Sequence, residues 1–459
     1  MADLSAIVKA YDVRGTVPDQ LNEDVARAIG AAFVQTLAAG GEAVDTIVIA
    51  YDMRASSPGL AAAFSAGARG EGANVIMAGL GSTDLLYFAS GKLGLPGAMF
   101  TASHNPAKYN GIKMCRAGAK PIGQDTGLAE IRDRAQAIID SGAAPAEPTG
   151  TEESRDLLVE YAAHLRTLVD LSGIRPLSVV VDAGNGMGGY TVPAVLGDEA
   201  LPALPLTIIP MYFELDGNFP NHEANPLAPE NIVDLQKAVV AHGADLGLAF
   251  DGDADRCFVV DADGNPVPPS AITALVATRE LAKHPGSTII HNLITSKAVP
   301  EIVAEHGGTA VRTRVGHSFI KAEMATTGAV FGGEHSAHYY FRDFWGADTG
   351  MLAAMHVLAA LGEQDGPLSE LSAEFTRYAA SGEINSTVDD QQGRLAAVRG
   401  AFPDAELDEL DGLTLSFADN SWANLRASNT EPLLRLNVEA PTEHRMAELR
   451  DAILSVVRA

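Results

Sequence analysis

Short β-branched runs without hydrophobic-polar alternation recur along the chain with one rhythm. The first set is Thr46–Asp52 (TIVIAYD), Asn74–Gly81 (NVIMAGLG) and Gly97–Pro106 (GAMFTASHNP). The second is Leu177–Gly186, Leu206–Tyr212 and Ala244–Arg256, and the third is Ser287–Asn292, Thr309–Ser318 and Gly328–His338. Alanine-rich stretches with helical spacing, such as Leu60–Gly70 (LAAAFSAGARG), separate them. Continuous apolar strands divided by helices predict parallel sheets covered on both faces. After Leu368 the pattern changes to alternation in Leu413–Asp419, Trp422–Ser428 and Leu433–Ala440, with a terminal helix from Thr442. The predicted class is α/β: three similar α/β domains with mixed, mainly parallel sheets, plus a smaller C-terminal α+β domain with an antiparallel sheet. The expected boundaries are 1–147, 148–260, 261–370 and 371–459, with linkers at Ser141–Glu152 and Asp261–Ser270.

Composition narrows the function classes. The 459 residues, 47% apolar and 20% charged, are those of a folded chain too long for one core. No apolar run reaches the roughly 18 residues that span a bilayer, and the start lacks a basic-then-apolar leader, so a cytoplasmic location is expected. Cys115 and Cys257 read as free thiols. A net charge of −27 argues against a nucleic-acid or membrane partner. A small anion can still bind where arginine and lysine gather locally.

In parallel sheets ligands bind beyond the carboxyl ends of strands, and each third strand ends there in a polar, glycine-flanked cluster. Asp251-Gly252-Asp253-Ala254-Asp255-Arg256 follows the apolar run LGLAF. Carboxylates two apart in extended chain face one way and can converge on a hard cation. A calcium loop needs glycine sixth and glutamate twelfth, where Arg256 and Ala262 stand. Magnesium fits better, and a solvated acidic turn is the bland alternative. Thr101–Pro106 offers Ser103 as a nucleophile, or simply an Asx turn before Pro106. His104 beside it faces the other way if the chain is extended, so it need not be the base.

Gly332–His338 alternates Glu334, Ser336 and His338 on one side, a row suited to sugar hydroxyls. Arg426–Pro432 joins a guanidinium to Ser428, Asn429 and Thr430, a donor set suited to a phosphate dianion or to a polar turn. Gly184–Gly189 satisfies G-x-G-x-x-G after a strand, yet no acid ends the next strand about 20 residues on, so a dinucleotide site is not supported. There is no P-loop motif either.

These four motifs, with Lys9–Gly15 (KAYDVRG) and Gly111–Met114 (GIKM), resemble in kind and order the α-D-phosphohexomutases, most closely their bacterial phosphomannomutase/phosphoglucomutase group. The resemblance implies four domains around a central cleft. It also implies interconversion of mannose 6-phosphate and mannose 1-phosphate through a phosphoserine and a hexose 1,6-bisphosphate, with phosphoglucomutase activity as the companion or alternative. Ser103 would carry the phosphoryl group and, with Asp251, Asp253 and Asp255, hold Mg2+. Arg14, His104, Lys113, Arg256 and His317 form the implied catalytic group, with the base left open between Lys113 and His317. Glu334, Ser336 and His338 would meet the sugar, and Arg426, Ser428, Asn429, Thr430 and Lys297 the other phosphate. His335 and Ala337 depart from the family's usual sugar loop, which leaves the sugar preference open. The expected partners are hexose phosphates, on a monomer or weak dimer. A phosphatase, which would release inorganic phosphate, and a non-catalytic phosphosugar-binding protein are the rival classes. All of this requires Ser103 to meet the three aspartates in space.

Overall fold

Ile47, Val48, Ile49 and Ala50 are all fully buried, so the strand that carries them shows water neither face. The computed structural model describes residues 3–9, 11–42, 44–427 and 433–459. It divides into two units, residues 1–267 with 336–369, and residues 268–335 with 370–459.

In the first unit, Val13–Thr16 (β1), Thr46–Tyr51 (β2), Asn74–Leu80 (β3), Gly97–Phe100 (β4), Tyr109–Arg116 (β5), Lys120–Pro121 (β6) and Glu152–Ser154 (β7) make one sheet. Its order is β1-β5-β4-β2-β3-β7, with β6 beside β5. β4, β2, β3 and β7 run parallel, while β5 is antiparallel to both β4 and β1. Leu177–Asp182 (β8), Leu206–Met211 (β9), Leu246–Phe250 (β10), Cys257–Asp261 (β11) and Pro266–Val267 (β12) form a second sheet in the order β12-β11-β10-β8-β9. Here β10, β8 and β9 are parallel and β11 returns antiparallel to β10, with Phe250 opposite Cys257. The acidic segment between them is therefore a hairpin turn.

In the second unit, Thr288–Asn292 (β13), Thr309–Thr313 (β14) and Phe331–Gly333 (β15) are parallel, with β13 in the middle. The three triplets share one topology: the first strand of each lies between the third and the second. The internal repeat seen in the sequence is thus a repeat of strand order. Tyr339–Phe341 (β16) and Ala347–Asp348 (β17) form an antiparallel hairpin within the first unit. Ala379–Thr387 (β18), Glu406–Asp408 (β19), Leu413–Ser416 (β20), Trp422–Ala427 (β21) and Leu433–Ala440 (β22) close the chain as an antiparallel sheet in the order β18-β22-β21-β20-β19. The helix Glu443–Val457 packs Met446, Leu449, Ile453 and Val457 into the same core as that sheet.

Helix starts are set by short polar caps. Asn22, Ser82, Thr349 and Thr442 each accept a hydrogen bond from a first-turn N–H. One start is tied down further: the buried Asp84 carboxylate accepts from Ser82, from Tyr161 at 2.7 Å and from Thr349 at 2.7 Å. Burial pushes this carboxyl up to about 6, against the pull of those three hydroxyls. Neither expected linker is wholly free chain. Ser141–Glu152 ends in β7, whose Glu152 pairs with Val75. In Asp261–Ser270, a turn closed by the Gly264 N–H on the Asp261 carbonyl leads through β12 into the helix Pro269–Lys283. Among the described residues no helix is long and apolar enough to cross a membrane.

Candidate active site

The carboxyl ends of β4 and β10 bring two loops together. Ser103 sits just past β4 with a backbone φ of 49°, in the left-handed region that residues with a Cβ rarely adopt. Its N–H is held by Thr101 Oγ1 at 2.9 Å, and its hydroxyl donates to Asp251 Oδ2 at 2.8 Å. The spatial requirement of the sequence reading is met across 148 residues of chain. Arg256 donates to Asp251 Oδ2 through Nε at 3.0 Å and Nη2 at 2.8 Å, and Nη2 also lies 3.4 Å from Ser103 Oγ.

The extended geometry assumed for both loops is corrected by the fold. Asp251–Arg256 is a turn with Ala254 at φ 60°, so the three carboxylates converge through a bend instead of a pleat. One oxygen from each lies within 4.8 Å of the others. The left-handed Ser103 likewise swings His104 back, placing its Nδ1 3.2 Å from Ser103 Oγ. That nitrogen accepts from Arg256 Nη2 at 2.5 Å, and burial followed by the charges of Arg256 and Arg14 pushes the imidazole down to about 2. His104 is a neutral neighbour of the serine.

Lys113, on β5, reaches Asp253 Oδ2 at 2.8 Å and Asp255 Oδ2 at 2.6 Å. Burial opposes its charge, but the two carboxylates outweigh that and hold the ammonium well above its ordinary pKa. Lys113 is a cation here, paired with both carboxylates. Thr83 Oγ1 donates to Asp253 Oδ2 at 2.6 Å. Burial works against ionisation of Asp253, yet Lys113 and Thr83 keep it well below the usual carboxylate range. Asp251 goes the other way. Burial pushes it up to about 7, opposed by Arg256 and aided by the like charges of Asp255 and Asp253.

Buried Asp253 Oδ1 and Asp255 Oδ1 accept no hydrogen bond from the described residues. Two unsatisfied buried anionic oxygens beside a third carboxylate are a donor set that suits a hard divalent cation. Arg14 reaches the serine loop from β1, donating through Nη1 to the Ala102 carbonyl at 3.1 Å and to Asn105 Oδ1, and pairing with Asp12.

The row Glu334–Ser336–His338 is not extended: residues 335–337 turn, with Ala337 at φ 64°. Ser336 and His338 belong to the first unit, where Ser336 Oγ and His338 Nδ1 are 3.0 Å apart and His338 Nε2 is 3.7 Å from Asp255 Oδ1. Glu334 belongs to the second unit, buried, accepting from Asn292 Nδ2 at 3.1 Å and the Gly316 N–H at 3.2 Å. His317 is the first residue of the helix His317–Thr327 in that unit. Arg426 lies there with Glu383 at 3.6 Å and Asp411 at 3.8 Å, and burial lowers its pKa against those partners. Ser428, Asn429 and Thr430 lie outside the described residues. Lys297 lines a cavity of about 350 Å³ with His291, Arg312 and Thr414, and its ammonium donates to Asn420 Oδ1 at 2.7 Å.

Sequence reasoning missed Thr83 and Arg54. Arg54 follows the carboxyl end of β2, and the same strand-end rule that flagged the other loops pointed to Asp52-Met53-Arg54.

One contact between the loops is open to a direct test. A Cβ built on Gly252 would lie 2.4 Å from the Ser103 carbonyl oxygen, so the hairpin turn and the serine loop meet backbone to backbone. Gly252→Ala is expected to push Ser103 from Asp251, lowering kcat by about 10- to 100-fold and stability by about 1–3 kcal/mol. Steady-state kinetics and denaturant unfolding check it, and an unchanged kcat refutes the contact's importance.

The chain matches four family models in order: the phosphoglucomutase/phosphomannomutase α/β/α domain I at residues 5–141, domain II at 159–264, domain III at 268–378 and the C-terminal domain at 383–456. It is 44% identical over 452 residues to a protein of Xanthomonas campestris named "Phosphohexose mutases", covering 97% of this chain and 98% of that one. It is 39% identical to the phosphomannomutase of Escherichia coli K12, over 97% of each. A solved structure of a phosphoglucomutase/phosphomannomutase family protein from Burkholderia thailandensis superposes with a TM-score of 0.88 at 32% identity, covering 100% of this chain and 98% of that one. With every domain present in family order and mutases this similar along nearly their whole length, the chain belongs to the phosphoglucomutase/phosphomannomutase family, the α-D-phosphohexomutases, and is an intramolecular phosphotransferase.

Proposed function

We propose that the chain is a phosphomannomutase interconverting mannose 6-phosphate and mannose 1-phosphate through a phosphoserine at Ser103 and a hexose 1,6-bisphosphate. The observation that carries the reading is the 2.8 Å hydrogen bond from the Ser103 hydroxyl to Asp251 inside a cluster of three buried aspartates and three basic side chains. Residues 1–147 would supply the serine loop, 148–260 the cation loop, 261–370 the sugar loop and 371–459 the phosphate loop.

Asp251, Asp253 and Asp255, with the Ser103 phosphate, would hold Mg2+, which when bound supplies Lewis-acid stabilisation to the phosphoryl oxygens. Arg256 lies against both Asp251 and the serine, where it offsets charge on a group transferring to or from Oγ. Lys113, held charged, screens the carboxylates from the incoming phosphate. The base that takes the proton of the attacking sugar hydroxyl would come from Lys113 or His317. Glu334, Ser336 and His338 would orient the hexose. Arg426, with Ser428, Asn429, Thr430 and Lys297, would hold the phosphate that is not reacting.

Glucose phosphates are the second substrate pair, as the joint name of the matched family models suggests. The test is an isomerisation assay on mannose 1-phosphate and glucose 1-phosphate with catalytic bisphosphate. Turnover of both, faster on mannose and without phosphate release, is expected. Turnover of glucose 1-phosphate alone makes the chain a phosphoglucomutase, and stoichiometric phosphate release makes it a phosphatase.

A further inference from the structure

We infer that Arg54 is a positioning residue for phosphoryl transfer, a guanidinium that holds the serine loop by its carbonyls and so aims Ser103 Oγ at the acidic cluster. The inference rests on Ser103 being the phosphoryl carrier.

Arg54 is 2% exposed. Guanidinium has five N–H donors in a rigid fork, and all five are committed. Nε donates to Asp52 Oδ2 at 3.2 Å. Nη1 donates to the carbonyls of Pro106 and Tyr109, each at 3.1 Å. Nη2 donates to the carbonyls of Ser103 at 2.9 Å and Asn105 at 2.7 Å. Three of the five acceptors are backbone oxygens of the loop that carries the serine, and a fourth is the carbonyl of Tyr109, where that loop enters β5. None is a side chain of the acidic cluster, so the hydrogen bonds of Arg54 go to the loop's shape, while its charge is also felt by Asp253.

The loop needs such a hold. Ser103 is left-handed at φ 49°, a conformation that costs on the order of 1–3 kcal/mol unless its surroundings over-determine it. Thr101 takes the Ser103 N–H and Arg54 takes its carbonyl, so the peptide groups on both sides of the strained Cα are pinned. With the backbone fixed, the hydroxyl has one short path to Asp251. Asp52 in turn is fixed by the Arg54 N–H at 3.0 Å and the Ser57 hydroxyl at 2.6 Å. The other side of the fork is closed by the second sheet's connecting segment. The Phe219 ring lies 5.0 Å from Arg54 Cζ, and a Cβ on Gly217 would come within 2.7 Å of Arg54 Cα. Lysine keeps the charge but, as a point donor, cannot hold four carbonyls in a plane.

The test uses the full chain primed with hexose bisphosphate, with Arg54→Lys as the first variant. Its kcat per folded molecule should fall by about 100-fold, with KM within about threefold of the parent because no sugar contact has changed. A merely structural role would lower the folded fraction and leave kcat per folded molecule and KM alone. If Arg54→Lys does not fold, Gly217→Ala serves, since it shifts Arg54 with the guanidinium intact. The same loss of kcat at constant KM is expected. A folded variant of either kind with parental kcat, or with its loss carried by KM, overturns the inference. Intact-mass measurement of the primed parent separates the layers. If no phosphoryl group is found on Ser103, the phosphoserine reading falls and takes this inference with it. If Ser103 is phosphorylated and the variants behave as the parent, only the role of Arg54 is refuted.

Discussion

Ser103→Ala is expected to remove mutase turnover, a loss on the order of 10⁴-fold or more, while leaving the fold intact. The hydroxyl makes a hydrogen bond to Asp251 but fills little space, and Ala102 beside it is already buried, so the substitution opens no large cavity. Alanine at φ 49° carries the same backbone strain as serine, and the Arg54 and Thr101 contacts to the residue 103 backbone remain. The unfolding midpoint should therefore move little. The assay is isomerisation of both hexose 1-phosphates, read beside the mass of the bisphosphate-treated protein. Parent protein should gain one phosphoryl group and the variant none. A variant that still isomerises sugar phosphates at the parental rate would remove the phosphoenzyme mechanism altogether.

Asp253→Asn should bring the second large loss, on the order of 100-fold in turnover together with a 10- to 100-fold weaker response to magnesium. Asp253 is the anion at the centre of the cluster. It takes Lys113 and Thr83 on one oxygen and leaves the other, buried and without a hydrogen bond from the described residues, for a cation. An amide keeps the shape and the Thr83 contact but removes the charge. Lys113 then keeps Asp255 as its ion-pair partner, and its pKa should drop because the largest of the attractions that oppose its burial is gone. Titrating activity against magnesium, with binding measured separately by calorimetry, checks the assignment. An unchanged magnesium dependence would show that the cation sits elsewhere.

Much of this fold is legible in the residues. TIVIAY, LSVVVD and TIIHN are continuous apolar runs because the strands they form are covered on both faces, and each lies at the centre of its parallel triplet. Local pattern said less where a strand meets water. β18 reads AASGEINST and is half exposed, so nothing in its polarity sets it apart from a loop. β5, YNGIKMCR, was recognised for its lysine and not as a strand, because Gly111 and Asn110 interrupt the β-branched signal. The acidic loop and the serine loop are legible as candidate chemistry, since tandem acids and a serine among polar residues at strand ends are local facts.

The sequence by itself determined the central strand of each α/β unit and how often that unit repeats, and it named candidates for nucleophile, cation and phosphate chemistry. Periodicity and residue type are properties of a few neighbouring positions, so they survive without any fold. Only the tertiary structure decided that Ser103 is left-handed, that His104 turns back onto it as a neutral ring, that Lys113 stands charged between two aspartates, and that Arg54 gathers the serine loop. Each of these depends on burial or on partners 49 to 152 residues away, and the energies that set them exist only once those segments share a low-dielectric interior.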